Sequence, residues 1–261
     1  MKDTVTRAVI LAGGFGTRLA EETETRPKPM IEIGGQPILW HIMKYYAHYG
    51  IREFYIALGY RGEIIKRFFV DYSSLNGSLS IDLISGRVAT QDSECEDWIV
   101  HLKNTGLETN TGGRIKRLEQ SLKQETFMLT YGDGVCNINL HELLEFHRSH
   151  GRVATVTAVR PPSRFGGLVF DGDIVADFTE KPQIGEGWIN GGFLVCQPEI
   201  FNYLESDKSS LEVDALERLA ADRQLAAYRH EGFWQCMDTL RDKRLLDTLW
   251  REQRAPWKVW E

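Results

Sequence analysis

The 261-residue chain has few cysteines and no long apolar run, and each shortage excludes a class of protein. Cys95, Cys136, Cys196 and Cys236 stand far apart, with no C-x-x-C pair and no histidine at zinc-ligand spacing. That excludes a disulfide scaffold and a zinc module and leaves reduced, structural thiols. No stretch approaches the roughly 20 apolar residues of a membrane helix. The first apolar run, Ala8 to Ala12, breaks at Gly13-Gly14 and soon meets Arg18, so it lacks the core and cleavage site of a secretory signal. The expected compartment is the cytoplasm, where Asn76-Gly77-Ser78 reads as a turn and not a glycosylation site. Excess positive charge is missing too. The 31 Lys+Arg face 37 Asp+Glu, a net charge of −6, which argues against DNA, RNA or an anionic membrane as partner. A small anionic ligand stays open, because a few placed cations can dominate one cleft. With no internal repeat or low-complexity linker, one large domain is expected.

Arg7 to Leu11 reads as a buried strand running into a glycine-rich loop. Pro37 to Tyr49 has helical spacing, with Pro37 at the first helical position and Gly50 past the end. A strand at Glu53 to Leu58 and a helix at Gly62 to Tyr72 follow. Ser78 to Ser85 and Trp98 to Asn104 read as strands around a polar insertion, Gly86 to Asp97. Then come a helix at Gly113 to Leu122, a strand at Thr126 to Tyr131, a helix at Leu140 to His150 closed by Gly151, and a strand at Val153 to Val159. After Pro161-Pro162 the pattern turns to hairpins at Gly167 to Phe170, Ile174 to Thr179 and Trp188 to Cys196. Helices at Val213 to Asp222 and Thr239 to Arg251 flank a strand at Leu225 to His230. The alternation predicts an α/β fold, a Rossmann-like, mostly parallel sheet flanked by helices, with a β-rich accessory region. The aromatic tail Pro256-Trp257-Lys258-Val259-Trp260 is too apolar for solvent and is expected to pack on the body or on a neighbouring subunit.

In an open α/β sheet, ligands sit beyond the carboxyl ends of the strands. Three segments there carry chemistry. The first is Leu11-Ala12-Gly13-Gly14-Phe15-Gly16-Thr17-Arg18-Leu19, where glycines let backbone N–H groups approach an anion and Arg18 adds charge. It is no Walker loop, since no Gly-Lys-Ser/Thr follows, and no dinucleotide fingerprint, since Leu19 replaces the third glycine. Alone, it serves equally as an anion site or a tight turn. Downstream, Arg26-Pro27-Lys28-Pro29-Met30 places a proline on each side of Lys28, restricting the backbone that carries its ammonium. The second segment, Tyr131-Gly132-Asp133-Gly134, puts an acid between glycines at a strand's carboxyl end, where an Asp-Gly turn is the alternative. The third is Phe178-Thr179-Glu180-Lys181-Pro182 with Trp188-Ile189-Asn190-Gly191-Gly192-Phe193. Asp171-Gly172-Asp173 mimics a D-x-D metal motif but lies between two short strand patterns and reads as a hairpin turn.

Together, Leu11 to Leu19 and Lys28-Pro29 resemble the signature of the sugar-1-phosphate nucleotidylyltransferases, and Glu180-Lys181-Pro182 and Asn190-Gly191-Gly192 follow in that family's order. The runs Gly34 to Lys44, Glu108 to Arg114 and Gly232 to Lys243 are similar, more narrowly, to the branch of the family that joins CTP to α-D-glucose 1-phosphate. Departures are the lead Met1 to Thr6 and Cys236 in place of proline, neither expected to touch a ligand. The resemblance implies a nucleotide-binding core over 7–160, a sugar-phosphate part over 161–238, and a C-terminal helix and tail over 239–261. It implies catalytic roles for Arg18, Lys28 and Asp133, and substrate binding by Leu11, Ala12, Gly13, Gly14, Phe15, Gly16 and Thr17 of the first loop. Thr109, Arg114 and Gly132 join the nucleotide site by the same resemblance. Glu180 would accept sugar hydroxyls, Lys181 would pair with the sugar's phosphate, and Asn190 and Gly191 would admit the ring. Asp133 and Asp238 would hold Mg²⁺, a pairing that suits a cation bound by few carboxylates plus phosphates. Asp238 reads alternatively as the N-cap of the helix near Thr239.

The implied reaction gives CDP-glucose and pyrophosphate by in-line attack of the sugar phosphate on the α-phosphorus. Positioning and charge stabilisation carry such a transfer. A homo-oligomer and a role in surface polysaccharide synthesis are implied by the family alone. Another NTP or sugar 1-phosphate is the alternative within the class, and a non-catalytic nucleotide-sugar regulator the alternative outside it. A nicotinamide-dependent reductase is disfavoured by the missing third glycine and ribose-binding acid.

Overall fold

The computed structural model describes residues 5–92, 95–161, 167–171, 174–179 and 187–260, with backbone alone at 18, 20, 21, 167–171 and 175–179. In chain order the first elements are β1 (Arg7–Ala12), α1 (Ala20–Thr23), a 3₁₀ turn (Lys28–Met30), β2 (Glu32–Ile33), β3 (Gln36–Pro37), α2 (Ile38–His48), β4 (Glu53–Leu58) and α3 (Gly62–Leu75). There follow β5 (Ser78–Asp82), β6 (Arg87–Gln91), β7 (Ile99–Asn104), α4 (Thr111–Lys116), α5 (Glu119–Leu122), β8 (Phe127–Tyr131), β9 (Gly134–Cys136), α6 (Leu140–His150) and β10 (Ala154–Val159). The last group is β11 (Gly167–Asp171), β12 (Ile174–Thr179), β13 (Ile189–Cys196), a π-helical turn (Leu211–Leu216), α7 (Glu217–Ala221), β14 (Leu225–His230), β15 (Trp234–Cys236) and α8 (Leu240–Arg251).

Seven strands form the central sheet in the order β14-β10-β13-β8-β1-β4-β7. β1 pairs parallel with β4 and β8, and β4–β7 and β10–β14 are parallel too. β13 runs antiparallel to both of its neighbours, β10 and β8. The expected mostly parallel sheet is therefore the observed one. Its central strand β1 reads as an unbroken apolar run because both faces are covered. Ala8, Ile10 and Ala12 enter the core cluster with α2, α6 and α8, while Val9 and Leu11 enter the one with α4 and the π-helical turn.

After β1 the chain builds outward through β4 and β7, then returns to place β8 on the other side of β1. That reversal opens a crevice at the carboxyl ends of β1 and β8, the place where open α/β sheets take ligands. Gly132 N–H donates to Leu11 O at 2.9 Å, so the two strands stay paired to its very edge.

Several elements differ from expectation. Trp188 to Cys196 is no accessory hairpin: its last six residues are buried, and β13 is an interior strand of the main sheet. An apolar run beside glycines carries no information about which partners it will find. The polar stretch Gly86 to Asp97 contains a strand, β6, that pairs with β5 into an exposed hairpin. The helix expected from Gly113 begins at Thr111 and divides into α4 and α5, and the one expected from Val213 begins at Leu211 as a π-helical turn. Pro37 is the N-cap of α2, not its first residue. Asp171 lies opposite Ile174 across β11–β12, in keeping with a hairpin turn, although Gly172 and Asp173 lie outside the described residues. None of the four cysteines is joined in a disulfide among the described residues. Among the described residues, no helix is long and apolar enough to cross a membrane.

The aromatic tail packs on the chain's own body. Trp257 is fully buried, stacked on Phe233 and Trp250, and its indole N–H faces His41 Nδ1 at 3.4 Å. His41 Nε2–H in turn donates to Ile33 O at 2.8 Å. On another face His147 bridges Thr155 at 2.8 Å and the Gln197 amide at 2.9 Å.

Both histidines are held neutral. Burial pulls His41 down to about 4 against the pull of the Ile33 and Gln36 carbonyls, and burial, with His150 and Arg148 nearby, pulls His147 down to about 4. Each ordinarily titrates near 6.5. Between those values the unfolded chain takes up protons that the folded chain refuses. Stability is thus full above pH 6.5 and should fall by about 1.4 kcal/mol per pH unit for each histidine down to pH 4. Urea unfolding at pH 7.5, 6, 5 and 4.5 reads this directly, and a flat profile would contradict it.

Candidate active site

The chain leaves β1 at Ala12 into the glycine loop, and three glycines serve three purposes. A Cβ on Gly13 would lie 2.3 Å from the Arg114 guanidinium, so that side chain could not lie where it does. Gly14 faces open space, and only there does the missing side chain leave room for a ligand. Gly16 turns the chain with φ +68°, and Thr23 closes the turn by donating to Gly16 O at 3.1 Å and Leu19 O at 3.0 Å.

Lys28 sits in the 3₁₀ turn between its prolines, with Pro27 extended at φ −69° and ψ 150° before it. Its ammonium lies 2.5 Å from Asp133 Oδ2 and 2.5 Å from Asp238 Oδ1. Burial opposes this charge, but the two carboxylates outweigh it and leave the ammonium more basic than usual. Asp133 follows β8, while Asp238 is brought alongside by the antiparallel pairing of β15 with β9 and by Met237 N–H donating to Asp133 O at 2.8 Å.

The capping reading of Asp238 is set aside by α8. Its N-cap is Thr239, which forms a capping box with Asp242. Asp242 Oδ2 accepts from the N–H groups of Asp238 at 3.1 Å and Thr239 at 2.9 Å. Asp242 thus takes over the helix end, and the Asp238 carboxylate points at Lys28 instead. Cys236, expected to touch no ligand, corrects that expectation: its thiol lies 3.6 Å from Asp238 Oδ2. Burial, then Asp238 and Asp133, push that thiol up to about 12, so it remains protonated.

A cavity of about 360 Å³ opens at this edge, lined by Leu11 to Phe15, Lys28, Leu107 to Thr111, Arg114 and Tyr131 to Asp133. A smaller one of about 60 Å³ lies beyond, lined by Asn190 to Phe193, Trp234, Cys236 and Thr130 to Gly134 without Gly132. Tyr131 and Asp133 belong to both. Gly192, at φ +79°, lets its backbone lie against the Tyr131 ring, where a Cβ would come within 2.7 Å. Trp234 Nε1–H donates to Gly191 O at 2.7 Å, tying the β13 glycines to β15.

Arg114 lines the large cavity, but its donors are engaged elsewhere. One terminal nitrogen donates to Thr105 Oγ1 at 2.8 Å, Gly106 O at 2.7 Å and Leu58 O at 3.1 Å; the other donates to Gly13 O at 3.0 Å and Leu107 O at 3.2 Å. One guanidinium therefore ties the loops after β1, β4 and β7 together. Burial, and then Arg117, make it less basic than usual.

Residues 7–244 match the family described as nucleotidyl transferase. The chain belongs to the nucleotidyl transferase family. It is 46% identical over 256 residues to the glucose-1-phosphate cytidylyltransferase of Salmonella typhi, covering 98% of this chain and 100% of that protein. A probable glucose-1-phosphate cytidylyltransferase of Bacillus subtilis is 44% identical, over 97% of this chain and 100% of its own. Among solved structures, UDP-glucose pyrophosphorylase from Acinetobacter baumannii matches with a TM-score of 0.68 at 14% identity, over 97% of this chain and 96% of that one, which bears on the fold alone.

In this nucleotidyl transferase, then, the structure brings Leu11 to Phe15, Lys28, Thr109, Arg114, Gly132 and Asp133 to one cavity, Asn190 and Gly191 to the adjoining one, and Asp238 to Lys28. Gly16 and Thr17 lie outside the cavity lining, and only the backbone of Arg18 is described. Glu180 and Lys181 lie outside the described residues. Tyr131, Thr111 and Trp234 are lining residues that sequence reasoning missed. Tyr131 had a signal, being the last residue of a strand at the carboxyl edge; Thr111 and Trp234 lay inside the runs Glu108 to Arg114 and Gly232 to Lys243 but were not singled out within them.

Replacing Arg114 with alanine should cost about 3 kcal/mol in urea unfolding, since it strands the Gly106 and Leu107 carbonyls and unties three loops. Arg114→Lys should recover only part, because an ammonium cannot span both sets of acceptors. Unchanged stability in Arg114→Ala would refute the structural role.

Proposed function

We propose that the protein transfers a cytidylyl group from CTP to α-D-glucose 1-phosphate, releasing pyrophosphate. The observation that carries this reading is Asp133: it stands on the shared wall of two adjoining cavities, bound to Lys28, in a chain similar end to end to proteins named for that activity. The larger cavity suits the nucleotide and the smaller one the sugar, so the α-phosphate and the attacking sugar phosphate would meet beside Asp133. Residues 7–160 would then serve as nucleotide-binding core and 161–238 as the sugar-phosphate part, with 239–261 as the C-terminal helix and tail.

The residues present fit a divalent cation, because the carboxylates of Asp133 and Asp238 already converge on one positive charge, the Lys28 ammonium standing in for a metal. Mg²⁺ held by Asp133 and Asp238 would offset the charge of the nucleotide phosphates. Lys28, drawn from the carboxylates to those phosphates, would hold the triphosphate with Arg18 and favour departure of pyrophosphate. Glu180 and Asn190 would hold sugar hydroxyls and Lys181 the sugar's phosphate, with Gly191 admitting the ring. No general base is required, since a phosphate monoester is already ionised near neutral pH. A nucleoside triphosphate substrate also favours the cytoplasm as the site of action.

The same reading includes a homo-oligomer. Every strand residue of the β5–β6 hairpin is exposed, with Leu79, Ile81 and Val88 about half exposed and Leu83 and Ile84 at its tip 90% and 100% exposed. A two-stranded ribbon with no covered face is marginal in water. The only charges on its strands, Asp82 and Arg87, are opposite in sign and paired in register, so a second copy would meet no net charge there.

Pyrophosphate release should be fastest with CTP and α-D-glucose 1-phosphate among the four NTPs and several sugar 1-phosphates, and should stop in EDTA; no release with any pair would refute the reading. Asp133→Asn and Asp238→Asn should each lower kcat/KM by roughly 10²-fold. Lys28→Met should do the same, yet bind Mn²⁺ more tightly than the wild type without nucleotide, because no ammonium then occupies the carboxylates; electron paramagnetic resonance of free Mn²⁺ measures this. Leu83→Asp with Ile84→Asp should reduce the mass seen by light scattering to that of a monomer, and a monomeric wild type would argue against the oligomer.

A further inference from the structure

We infer that Glu212 is a positioning residue for the sugar 1-phosphate, acting through Tyr131 to set the hydrogen-bonding face that the small cavity presents. The inference rests on the proposed cytidylyl transfer and adds to it a side chain that touches neither substrate.

Glu212 is the second residue of the π-helical turn, a geometry that is rare and often found at functional sites. Its Oε1 accepts from Tyr131 OH at 2.5 Å, and its Oε2 accepts from Thr111 Oγ1 at 2.7 Å and Ser210 Oγ at 2.8 Å. Among the described residues no lysine or arginine forms an ion pair with it. Burial opposes its charge, but the hydroxyls of Tyr131, Thr111 and Ser210 outweigh that and keep it more acidic than usual. Ser210 is the N-cap of the turn, so its bond is local. The other two are not local. Tyr131 and Thr111 are 81 and 101 residues away in sequence, and both line the large cavity. An ordinary helix carboxylate would face solvent or a lysine; this one is aimed at the boundary between the two cavities.

The direction of each bond then follows from proton counting. A charged carboxylate can only accept, so the single phenol proton of Tyr131 points at Glu212. On its other side the phenol oxygen can only accept, and there the Asn190 side chain faces it. Asn190 Oδ1 is taken by Gly192 N–H at 2.8 Å, which leaves its NH₂ as the end directed to the phenol. From Glu212 outward, the carboxylate thus fixes the phenol proton, and the phenol oxygen together with Gly192 N–H fixes the amide proposed to meet the sugar. Thr111 is held in the same way: it donates to Glu212 and accepts Leu211 N–H at 2.9 Å.

Glu212→Gln keeps the size of the side chain but brings an NH₂ that can reverse the phenol. The expected result is a KM for α-D-glucose 1-phosphate raised about tenfold or more, the scale of a hydrogen bond to a charged group, with kcat altered much less. Tyr131→Phe should give the same rise, and the double variant should be no worse than either single one, because both remove one linkage. Isothermal titration with α-D-glucose 1-phosphate should show matching losses of affinity, with circular dichroism confirming that each variant is folded. Unchanged affinity and KM in folded Glu212→Gln and Tyr131→Phe would overturn the inference, as would losses that multiply in the double variant. Should the wild type turn over CTP with glucose 1-phosphate while the variants behave like it, the inference falls and the proposed activity stands. A wild type that neither binds the sugar phosphate nor releases pyrophosphate would sink both.

Discussion

The Lys28 ammonium, shared between Asp133 and Asp238, joins three segments that are 105 and 210 residues apart in sequence. Each segment reaches this point by its own local device. Prolines stiffen the turn that carries Lys28, the end of β8 delivers Asp133, and the β15–β9 pairing delivers Asp238. A buried cluster of this kind adds little net stability, because desolvating three charges offsets most of their attraction. What it supplies is a fixed arrangement of charge where the two cavities meet. Asp242 contributes by assuming the capping of α8, which leaves Asp238 available to the cluster. The helix α8 supports the same region from behind: Asp247 accepts the Gly34 N–H at 2.8 Å, and Lys243 pairs with Glu22 at 2.5 Å next to the first loop.

Around that cluster, backbone carbonyls matter as much as side chains. Arg114 gathers the carbonyls of Leu58, Gly106, Gly13 and Leu107 and pairs with no carboxylate among the described residues, so the wall of the large cavity is built on an arginine that faces backbone dipoles. Such a cation contributes positive potential to the cavity while tying its loops together. The glycine at 13 is then explained by a side chain and not by a ligand. At Gly14, by contrast, the missing Cβ faces open space.

Much of the fold was legible because its signals are short-ranged. The apolar run of β1, the cap and glycine around α6, and the restraint on Lys28 all depend on residues within a few positions of one another. The loop motifs pointed to the sheet edge where the larger cavity lies and, by resemblance, to the right family. The placement of β13 was not legible, since Ile189 to Cys196 has the same alternation and glycines whether it ends a hairpin or enters a sheet. Cys236 was misjudged for a related reason: a lone thiol in a short strand has no distinguishing mark until the pairing of β15 sets it beside Asp238.

Read by itself, the chain determined where most strands and helices form, which loops are rich in glycine, and which charged residues are held by prolines or strand ends. These follow from hydrophobic period and from the steric limits of glycine and proline, which act within a turn or two of the backbone. Only the tertiary structure decided what each polar side chain faces. It turned Asp238 from a helix cap toward Lys28, bound Arg114 to carbonyls, and set Glu212 on Tyr131. The physical reason is that a carboxylate or guanidinium takes whatever partner lies within about 3 Å, and that partner is supplied by a segment folded in from elsewhere in the chain.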